Sequence, residues 1–362
     1  MSGPAYQWDT LDPLSPAAEA VGLRQQVMAA DLIMRGDGWE RGVRSVLLQN
    51  DRISLEVVVD RGLDIAGARI SQIPVGWRSP TEIVAPWFVE NAGFGPHRGF
   101  FGGLLTTCGL DHIGAPTERS AERFAYPSRT ADSLPMHGRV SGSPARLSAY
   151  GVTDTDHGIE AFVEGTVTQV AVFGEHLVLS RRISIAYGSS TIRIADTVTN
   201  RGYAPSPLAV MYHVNVGWPV VAPGARVEVD GRTVRGDGDH TSVVVPTQGA
   251  PERTWLHVPD TDRGGRAAAA VVNERIDDTT SAGMRLSWDA TTLPTLVQWE
   301  LTAGAGHYAV ALEPSTMAPG PDGELALPTL EPGASARLGI EIELLHASSG
   351  VDSRNNERQT NP

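Results

Sequence analysis

Short segments in which apolar and polar residues alternate recur along most of the chain. Examples are ISLEVVV, HLVLSRRISIAY, TLVQWEL and ARLGIEIELL, and Gly, Asn, Asp or Pro residues separate them at fairly regular intervals. Such alternation is typical of β-strands that have one buried face. Because these segments follow one another without helices between them, the pattern predicts a mostly β protein, a sandwich or a barrel, rather than a βαβ fold.

Only residues 16–34, PAAEAVGLRQQVMAADLIM, have the length and apolar spacing of a helix. We therefore predict an N-terminal extension over residues 1–35 with a short helix. A single large β domain is predicted over residues 36–347, since all-β domains of this size are common. Residues 348–362 are polar and without pattern, which predicts a disordered tail.

The composition excludes several classes of chemistry. All 29 basic residues of the 362-residue chain are arginines, so a lysine Schiff base and a P-loop lysine are ruled out. Cys108 is the single cysteine, which excludes an intrachain disulfide and a cysteine-cluster metal site. The net charge of −13 disfavours nucleic acids and anionic membranes as partners. An uncharged small molecule is the simplest ligand, although a local arginine pocket would hold an anion.

No apolar stretch is long enough to cross a bilayer, and the N-terminus MSGPAYQWDT lacks the basic and apolar regions of a signal peptide. The sequence therefore predicts a cytoplasmic protein without a membrane partner.

Glu313 lies at the end of the apolar run HYAVALEP, where Pro314 ends a predicted strand. Burial against that strand would raise the pKa of the carboxyl group towards neutrality, as a general base requires. The alternative is a carboxylate that neighbouring amides or an arginine satisfy.

His213 and Asn215 interrupt the apolar run MYHVNVGW two residues apart, so both side chains project from the same face of a strand. A histidine donates or accepts a proton near neutral pH, and an amide orients an imidazole or a ligand hydroxyl. The alternative is a small hydrogen-bond network in the core. His137 and Arg139, around Gly138, indicate a ligand-facing loop or a surface turn.

Other catalytic templates are absent from the sequence. It contains no G-x-S-x-G, no H-E-x-x-H and no paired C-x-x-C motif. GAGHYA matches a degenerate dinucleotide fingerprint, but a strand follows it instead of a helix. Trp299, in VQWEL, is either a core residue or a platform on which a sugar ring stacks.

Five stretches, DRGLDI, GGLLTTCGLDHIG, MHGR, MYHVNVGWP and YAVALEPS, occur in this order over roughly residues 40–345. Together they resemble the aldose 1-epimerase (galactose mutarotase-like) family, and within it the branch called DUF4432. The resemblance implies a galactose mutarotase-like β-supersandwich and a monomeric or homodimeric enzyme. It also implies a carbohydrate bound across the concave sheet, with no cofactor and no metal.

By this resemblance Glu313 would remove the proton of the anomeric hydroxyl and His213 would protonate the ring oxygen. The two groups are expected to face each other across the ring. His137 would hold sugar hydroxyls or assist at the ring oxygen, with Arg139 nearby. Further hydroxyl contacts and a stacking face are expected from Arg61, Asp64, Asp111, His112, Gln298 and Trp299.

The chain departs from the family where a typical mutarotase has an early asparagine–arginine pair, because DRGLD stands at the comparable place. The sequence therefore does not decide whether the substrate is a pentose, an acidic sugar or a modified hexose. It also allows another sugar isomerisation that uses the same acid and base. Glycoside or polysaccharide cleavage would need a second group, such as Glu300 or Asp111, beside Glu313. A non-catalytic sugar-binding module is the third alternative.

Overall fold

The computed structural model describes residues 21–156, 158–320 and 324–348. In chain order the strands are β1 (Ala29–Met34), β2 (Arg44–Gln49), β3 (Ile53–Val58), β4 (Asp64–Ile70), β5 (Ile73–Pro74), β6 (Trp77–Arg78), β7 (Gly102–Gly103), β8 (Leu105–Leu110), β9 (Thr117–Ser120), β10 (Ala131–Leu134), β11 (Arg146–Thr155), β12 (Gly158–Val170), β13 (His176–Ala186), β14 (Thr191–Asn200), β15 (Ser206–Pro207), β16 (Ala209–Val216), β17 (Arg226–Val229), β18 (Gly231–Arg235), β19 (Arg253–Pro259), β20 (Arg266–Asn273), β21 (Thr280–Asp289), β22 (Thr295–Gly304), β23 (His307–Ser315), β24 (Ala318–Pro319), β25 (Leu325–Ala326), β26 (Thr329–Leu330) and β27 (Ser335–Ser348).

The helical segments of the described residues are short 3-10 turns: Arg24–Gln26, Gly38–Glu40, Pro86–Phe88, Gly95–Gly99, Glu122–Phe124 and Val140–Gly142. No helix in this part of the chain is long and apolar enough to cross a lipid bilayer.

Two large antiparallel sheets form the domain. The first has eleven strands in the order β1-β2-β3-β4-β8-β16-β23-β22-β19-β18, with β5 paired to β4. The second has eight strands in the order β11-β12-β13-β14-β27-β21-β20-β17. The predicted mostly β, single-domain sandwich is confirmed, and many neighbours within each sheet are far apart in sequence, such as β8 with β16.

The core lies between the two sheets. The largest cluster of buried apolar side chains contains Val57 and Val214 of the first sheet together with Val163 and Ile194 of the second. Along β14 the inward residues are buried while their neighbours face outward, which is the alternation visible in the sequence. Removing this apolar area from water is the main stabilising term of such a sandwich.

The helix predicted within residues 16–34 is wrong for the described part of that segment. Residues 21–34 contain one 3-10 turn and the strand β1, which pairs with β2 along its whole length, from Ala29 opposite Gln49 to Met34 opposite Arg44. Hydrogen bonding to a neighbouring strand has overridden the local helical spacing, so the sheet begins before residue 36. Residues 1–20, and the tail from residue 349 onward, lie outside the described residues.

Candidate active site

Three adjacent strands, β16, β23 and β22, carry the candidate residues on one face. The register between β16 and β23 places Val214 opposite Leu312, and therefore His213 opposite Glu313. Glu313 is in turn paired with Val297 of β22. Because paired residues project from the same face of a sheet, His213, Glu313 and Val297 share one face, while Val214 and Leu312 belong to the core on the other.

His213 and Glu313 are in direct contact. Nε2 of His213 lies 3.2 Å from Oε1 of Glu313, and the two residues are 5% and 2% exposed. The expectation that they face each other across a sugar ring is therefore wrong: they lie side by side on neighbouring strands. Since the anomeric hydroxyl oxygen and the ring oxygen are bonded to the same carbon, a side-by-side pair is well placed to reach both.

Burial favours the neutral form of both groups. It raises the pKa of the Glu313 carboxyl well above its usual value, and the neighbouring charge of Glu252 adds to this shift. Burial also lowers the pKa of His213 to about 3, with a further contribution from the His137 imidazole, against a smaller opposing effect of Asn215. Burial therefore favours the form of the pair in which the carboxyl group is protonated and the imidazole is neutral.

Two buried atoms of this pair, Oε1 of Glu313 and Nδ1 of His213, have no hydrogen-bond partner among the described residues. The 3.2 Å contact lacks the angles of a hydrogen bond, although its distance is short enough for an ion pair. A buried polar atom without a partner costs stability, and such atoms are concentrated at functional sites. The pair thus retains free hydrogen-bonding capacity next to a cavity.

The cavity above the pair has a volume of about 510 Å³. This is within the range of small-molecule sites. Its titratable lining residues are His97, His137, His213, Glu252, His307 and Glu313. Within the described part of the chain, no three His, Cys, Asp or Glu side chains are grouped in the manner of metal ligands.

An aromatic wall surrounds His213. The ring centroid of Trp299 lies 5.6 Å from that of His213 and 5.9 Å from that of Trp77. The Phe100 ring lies 5.2 Å from His213 on another side. Nε1 of Trp299 donates a hydrogen bond to Glu252 Oε2 at 2.8 Å, which fixes the indole with one edge in the cavity wall, as a stacking platform requires.

His137 approaches His213 from a tight turn. Its backbone has a left-handed φ of 57°, and its ring centroid lies 6.0 Å from that of His213. The next residue, Gly138, also has a positive φ of 78°, and a Cβ atom there would lie 2.1 Å from the carbonyl oxygen of Gly109. Glycine is required at this position, which explains the MHGR motif in physical terms. Burial lowers the pKa of His137 to about 4.

Arg61 stabilises the loops around the cavity and does not line the cavity itself. Its guanidinium is buried and donates hydrogen bonds to the carbonyl oxygens of Ser141, Val84 and Gly99 at 2.7 to 2.9 Å. Burial lowers its pKa to about 10. By holding Gly99, Arg61 positions the adjacent residue Phe100, and its predicted contact with sugar hydroxyls has no support in this arrangement.

Asp64 belongs to a buried charged network between the sheets. Its Oδ1 accepts hydrogen bonds from the Thr107 hydroxyl at 2.6 Å and from the Arg181 guanidinium at 3.1 Å. Arg181 also pairs with Asp196, which accepts a hydrogen bond from the Tyr212 hydroxyl. Asp64 does not line the cavity. Because Tyr212 precedes His213, this network instead supports the strand that carries the candidate acid.

Asn215 and Gln298 are fully buried and do not line the cavity. Nδ2 of Asn215 donates a hydrogen bond to the backbone carbonyl of His213 at 2.9 Å. Oε1 of Gln298 lies 3.2 Å from Nε2 of His257, and its Nε2 donates to the carbonyl of His240. Asn215 therefore supports strand β16 from the face that carries His213, whereas Gln298 supports β22 from the opposite face.

Asp111, His112 and Arg139 also lie outside the cavity wall. Asp111 is buried in an ion pair with Arg119 at 2.7 Å. Nε2 of His112 lies 2.8 Å from a carbonyl oxygen of its own turn, and Arg139 donates a hydrogen bond to the carbonyl of Ser133 at 2.6 Å. Of the predicted site residues, the cavity brings together Glu313, His213, His137 and Trp299.

Several cavity residues were not identified from the sequence. His97 and Phe100 come from the Gly- and Pro-rich segment 87–103, whose composition indicates a loop. Trp77, in the short strand β6, and Glu252, in the connection before β19, lie in segments that carry no comparable signal. Their presence in one wall depends on strand pairing over long sequence distances.

A family model described as "Domain of unknown function (DUF4432)" matches residues 40–344. The comparison with curated proteins finds no match.

Several solved structures share the fold. A candidate aldose 1-epimerase from Klebsiella pneumoniae subsp. pneumoniae MGH 78578 has a TM-score of 0.75 at 22% identity, covering 87% of this chain and 83% of that one. A galactose mutarotase-like protein from Clostridium acetobutylicum has a TM-score of 0.61 at 13% identity, with coverages of 89% and 99%. Galactose 1-epimerase from Lactobacillus acidophilus NCFM has a TM-score of 0.55 at 11% identity, with coverages of 88% and 99%. These likenesses establish a galactose mutarotase-like fold.

Proposed function

We propose that this chain, which belongs to the DUF4432 family, is a carbohydrate isomerase, an aldose 1-epimerase that interconverts the anomers of a free sugar. The observation that carries the proposal is the buried contact between His213 and Glu313 beside an open cavity of about 510 Å³. The names of structural neighbours, a candidate aldose 1-epimerase and a galactose 1-epimerase, support the same reaction class.

In the proposed mechanism the pair holds one dissociable proton. Nε2 of His213 and Oε1 of Glu313 lie 3.2 Å apart, and once a small side-chain rotation aligns them as a hydrogen bond, transfer of the carboxyl proton converts the neutral pair into a carboxylate and an imidazolium. Glu313 then accepts the proton of the anomeric hydroxyl, whose oxygen forms a double bond to C1. The bond from C1 to the ring oxygen breaks, and His213 donates a proton to that oxygen.

The open-chain aldehyde turns about its C1–C2 bond, and the reverse proton transfers close the ring on the other face. Each positioned acid or base contributes typically ~10²- to 10⁴-fold to such a step. Trp299 provides a stacking face for the sugar ring, and His137 provides a neutral imidazole beside the ring oxygen. No residue has to form a covalent bond to the sugar.

Exchange NMR with purified protein and a broad panel of free aldoses tests this function. We expect at least one sugar to show accelerated exchange between the signals of its α and β anomers. The Glu331→Gln variant, in which an exposed carboxyl is replaced, is expected to match the unmodified protein. If the protein accelerates exchange for none of the sugars, the aldose 1-epimerase assignment is wrong.

The activity is expected to be insensitive to mild acid. A second proton on the pair must reside on His213, whose pKa burial lowers from 6.5 to about 3, so the active, singly protonated pair persists as the pH falls from 7 to 5. Activity is expected to decline on the alkaline side once Glu313, with its raised pKa, loses the shared proton. The measurement is kcat/KM against pH, with circular dichroism at each pH as the control for folding. An acid limb centred near pH 6.5 would contradict the coupled pair.

A further inference from the structure

The strand β22 has an inverted distribution of apolar and polar side chains. Val297, Trp299 and Leu301 face the cavity and are partly exposed. The residues between them, Gln298 and Glu300, are buried on the opposite face. Exposing apolar side chains and burying polar ones both cost folding free energy, so the pattern points to an apolar ligand surface that covers the exposed stripe.

Other elements extend this apolar surface. Ile113, Met136 and Met317 line the same cavity and are partly exposed, and Met211 lines it from β16. A sugar ring that stacks on Trp299 uses the face of one indole. The additional aliphatic side chains come from separate strands and loops. Together they provide more apolar surface than the stacking of a single sugar ring requires.

The cavity lacks the groups that bind anionic sugars. No arginine is among the described residues that line it, and the chain contains no lysine. Two carboxyl-bearing residues, Glu252 and Glu313, line it instead. The imidazoles of His137 and His213 are kept neutral by burial. A carboxylate, sulfonate or phosphate on the ligand would therefore lose its hydration without meeting an arginine or a lysine, and His97 and His307 would be its remaining imidazole partners.

The size of the cavity is consistent with a substituted sugar. A cavity of ~150 Å³ is filled by one benzene ring, whereas this cavity has a volume of about 510 Å³. The space leaves room for a substituent beside one sugar ring, and aliphatic side chains are among the lining residues.

We propose, resting on the aldose 1-epimerase function proposed above, that the substrate is an uncharged sugar with an apolar substituent: a deoxy, C-methyl or O-alkyl sugar with a free anomeric hydroxyl. The apolar group lies against Val297, Leu301 and the methionines of the cavity. The ring stacks on Trp299, and the anomeric carbon lies at the pair His213 and Glu313.

The test compares matched sugars: glucose, its monodeoxy and mono-O-methyl derivatives at C2, C3, C4 and C6, glucuronate and glucose 6-phosphate. We expect at least one derivative to exceed glucose about fourfold or more in kcat/KM, the factor that corresponds to one buried CH₂ group at about 0.8 kcal/mol. Glucuronate and glucose 6-phosphate are expected to be the poorest. If either anion equals glucose, or every deoxy and O-methyl derivative is poorer than glucose, the proposed substrate class is wrong.

Two variants test the apolar stripe itself. Val297→Thr keeps the shape of a β-branched side chain, and Leu301→Asn keeps approximate size, but both replace apolar atoms by polar ones. Each is expected to shrink the preference for the best derivative over glucose. Val170→Thr, at an exposed valine of β12, is the matched control and should leave the preference unchanged. An unchanged preference in both cavity variants would overturn the assignment of the stripe.

Sugar binding is measured separately from anomer exchange. The proposed epimerase function and the proposed substrate class can therefore be refuted independently. Titration of each sugar against tryptophan fluorescence reports occupancy, because Trp77 and Trp299 line the cavity. If derivatives bind more tightly than glucose but no anomer exchange is accelerated, the epimerase function is wrong and the ligand class stands. If exchange is accelerated with the opposite preference, the function stands and the ligand class is wrong. If no sugar binds or reacts, both are wrong.

Discussion

Replacing Glu313 by glutamine is expected to lower kcat/KM for anomer exchange by about 10²- to 10⁴-fold, the contribution of one positioned acid–base group. The amide has nearly the shape of the carboxyl group, but it cannot accept the anomeric proton or pass a proton to His213. Burial favours the neutral form of the carboxyl group, and the amide is also neutral and of similar size, so the substitution introduces no new buried charge or cavity. Stability is therefore expected to be unchanged or slightly increased.

The Glu313→Gln experiment also distinguishes an enzyme from a binding module. Sugar binding, followed by tryptophan fluorescence, should persist in the variant while exchange collapses. Glu331→Gln, at an exposed position, controls for the removal of one carboxyl group. Full activity in Glu313→Gln would contradict the role of Glu313 as the base. Glu252, the other carboxyl-bearing residue that lines the cavity, would then be the next candidate.

The Arg181→Met variant is expected to lose about 3–5 kcal/mol of unfolding free energy, the usual result of breaking a buried ion pair from one side. Arg181 lies 3.1 Å from Asp64 and 2.7 Å from Asp196, and all three side chains are fully buried. Methionine fills a similar volume, so the loss arises from two carboxyl groups left without their cation. Urea denaturation followed by circular dichroism measures the effect.

The neighbouring residue provides a matched control for this prediction. Arg182 projects from the other face of β13 and pairs with Glu160 and Glu164 at partly exposed positions. Exposed ion pairs contribute about 0–1 kcal/mol, so Arg182→Met is expected to cost no more than that. Equal losses in the two variants would show that the network beneath His213 does not have the structural role assigned to Arg181.

Much of the architecture follows from local patterns. The alternation along β14 and its neighbours requires one buried and one outward face, and that requirement is a property of the sequence alone. The helix predicted within residues 16–34 failed for a related reason. Its apolar spacing satisfies a helix locally, but the backbone hydrogen bonds of residues 29–34 are made to β2, which lies beyond an intervening turn.

The motifs located the site more accurately than they assigned its residues. Glu313 and His213 line one cavity side by side instead of facing each other across a ring, and Asp64 and Asp111 from the same set of motifs form buried ion pairs. A shift of strand register by one residue moves every side chain of that strand to the other face of the sheet. A motif indicates that a polar residue is needed without indicating whether it faces a ligand or the core.

The sequence by itself determined the class of fold, the excluded chemistries and the acid–base pair to examine, because alternation, composition and motif order are local or additive properties. Only the tertiary structure decided that the pair is in contact, that Trp77, Phe100 and Glu252 complete the cavity, and that its wall is largely apolar. Those features depend on strand register and on loops brought together from distant parts of the chain, and sheet pairing between such segments is not encoded in any one of them.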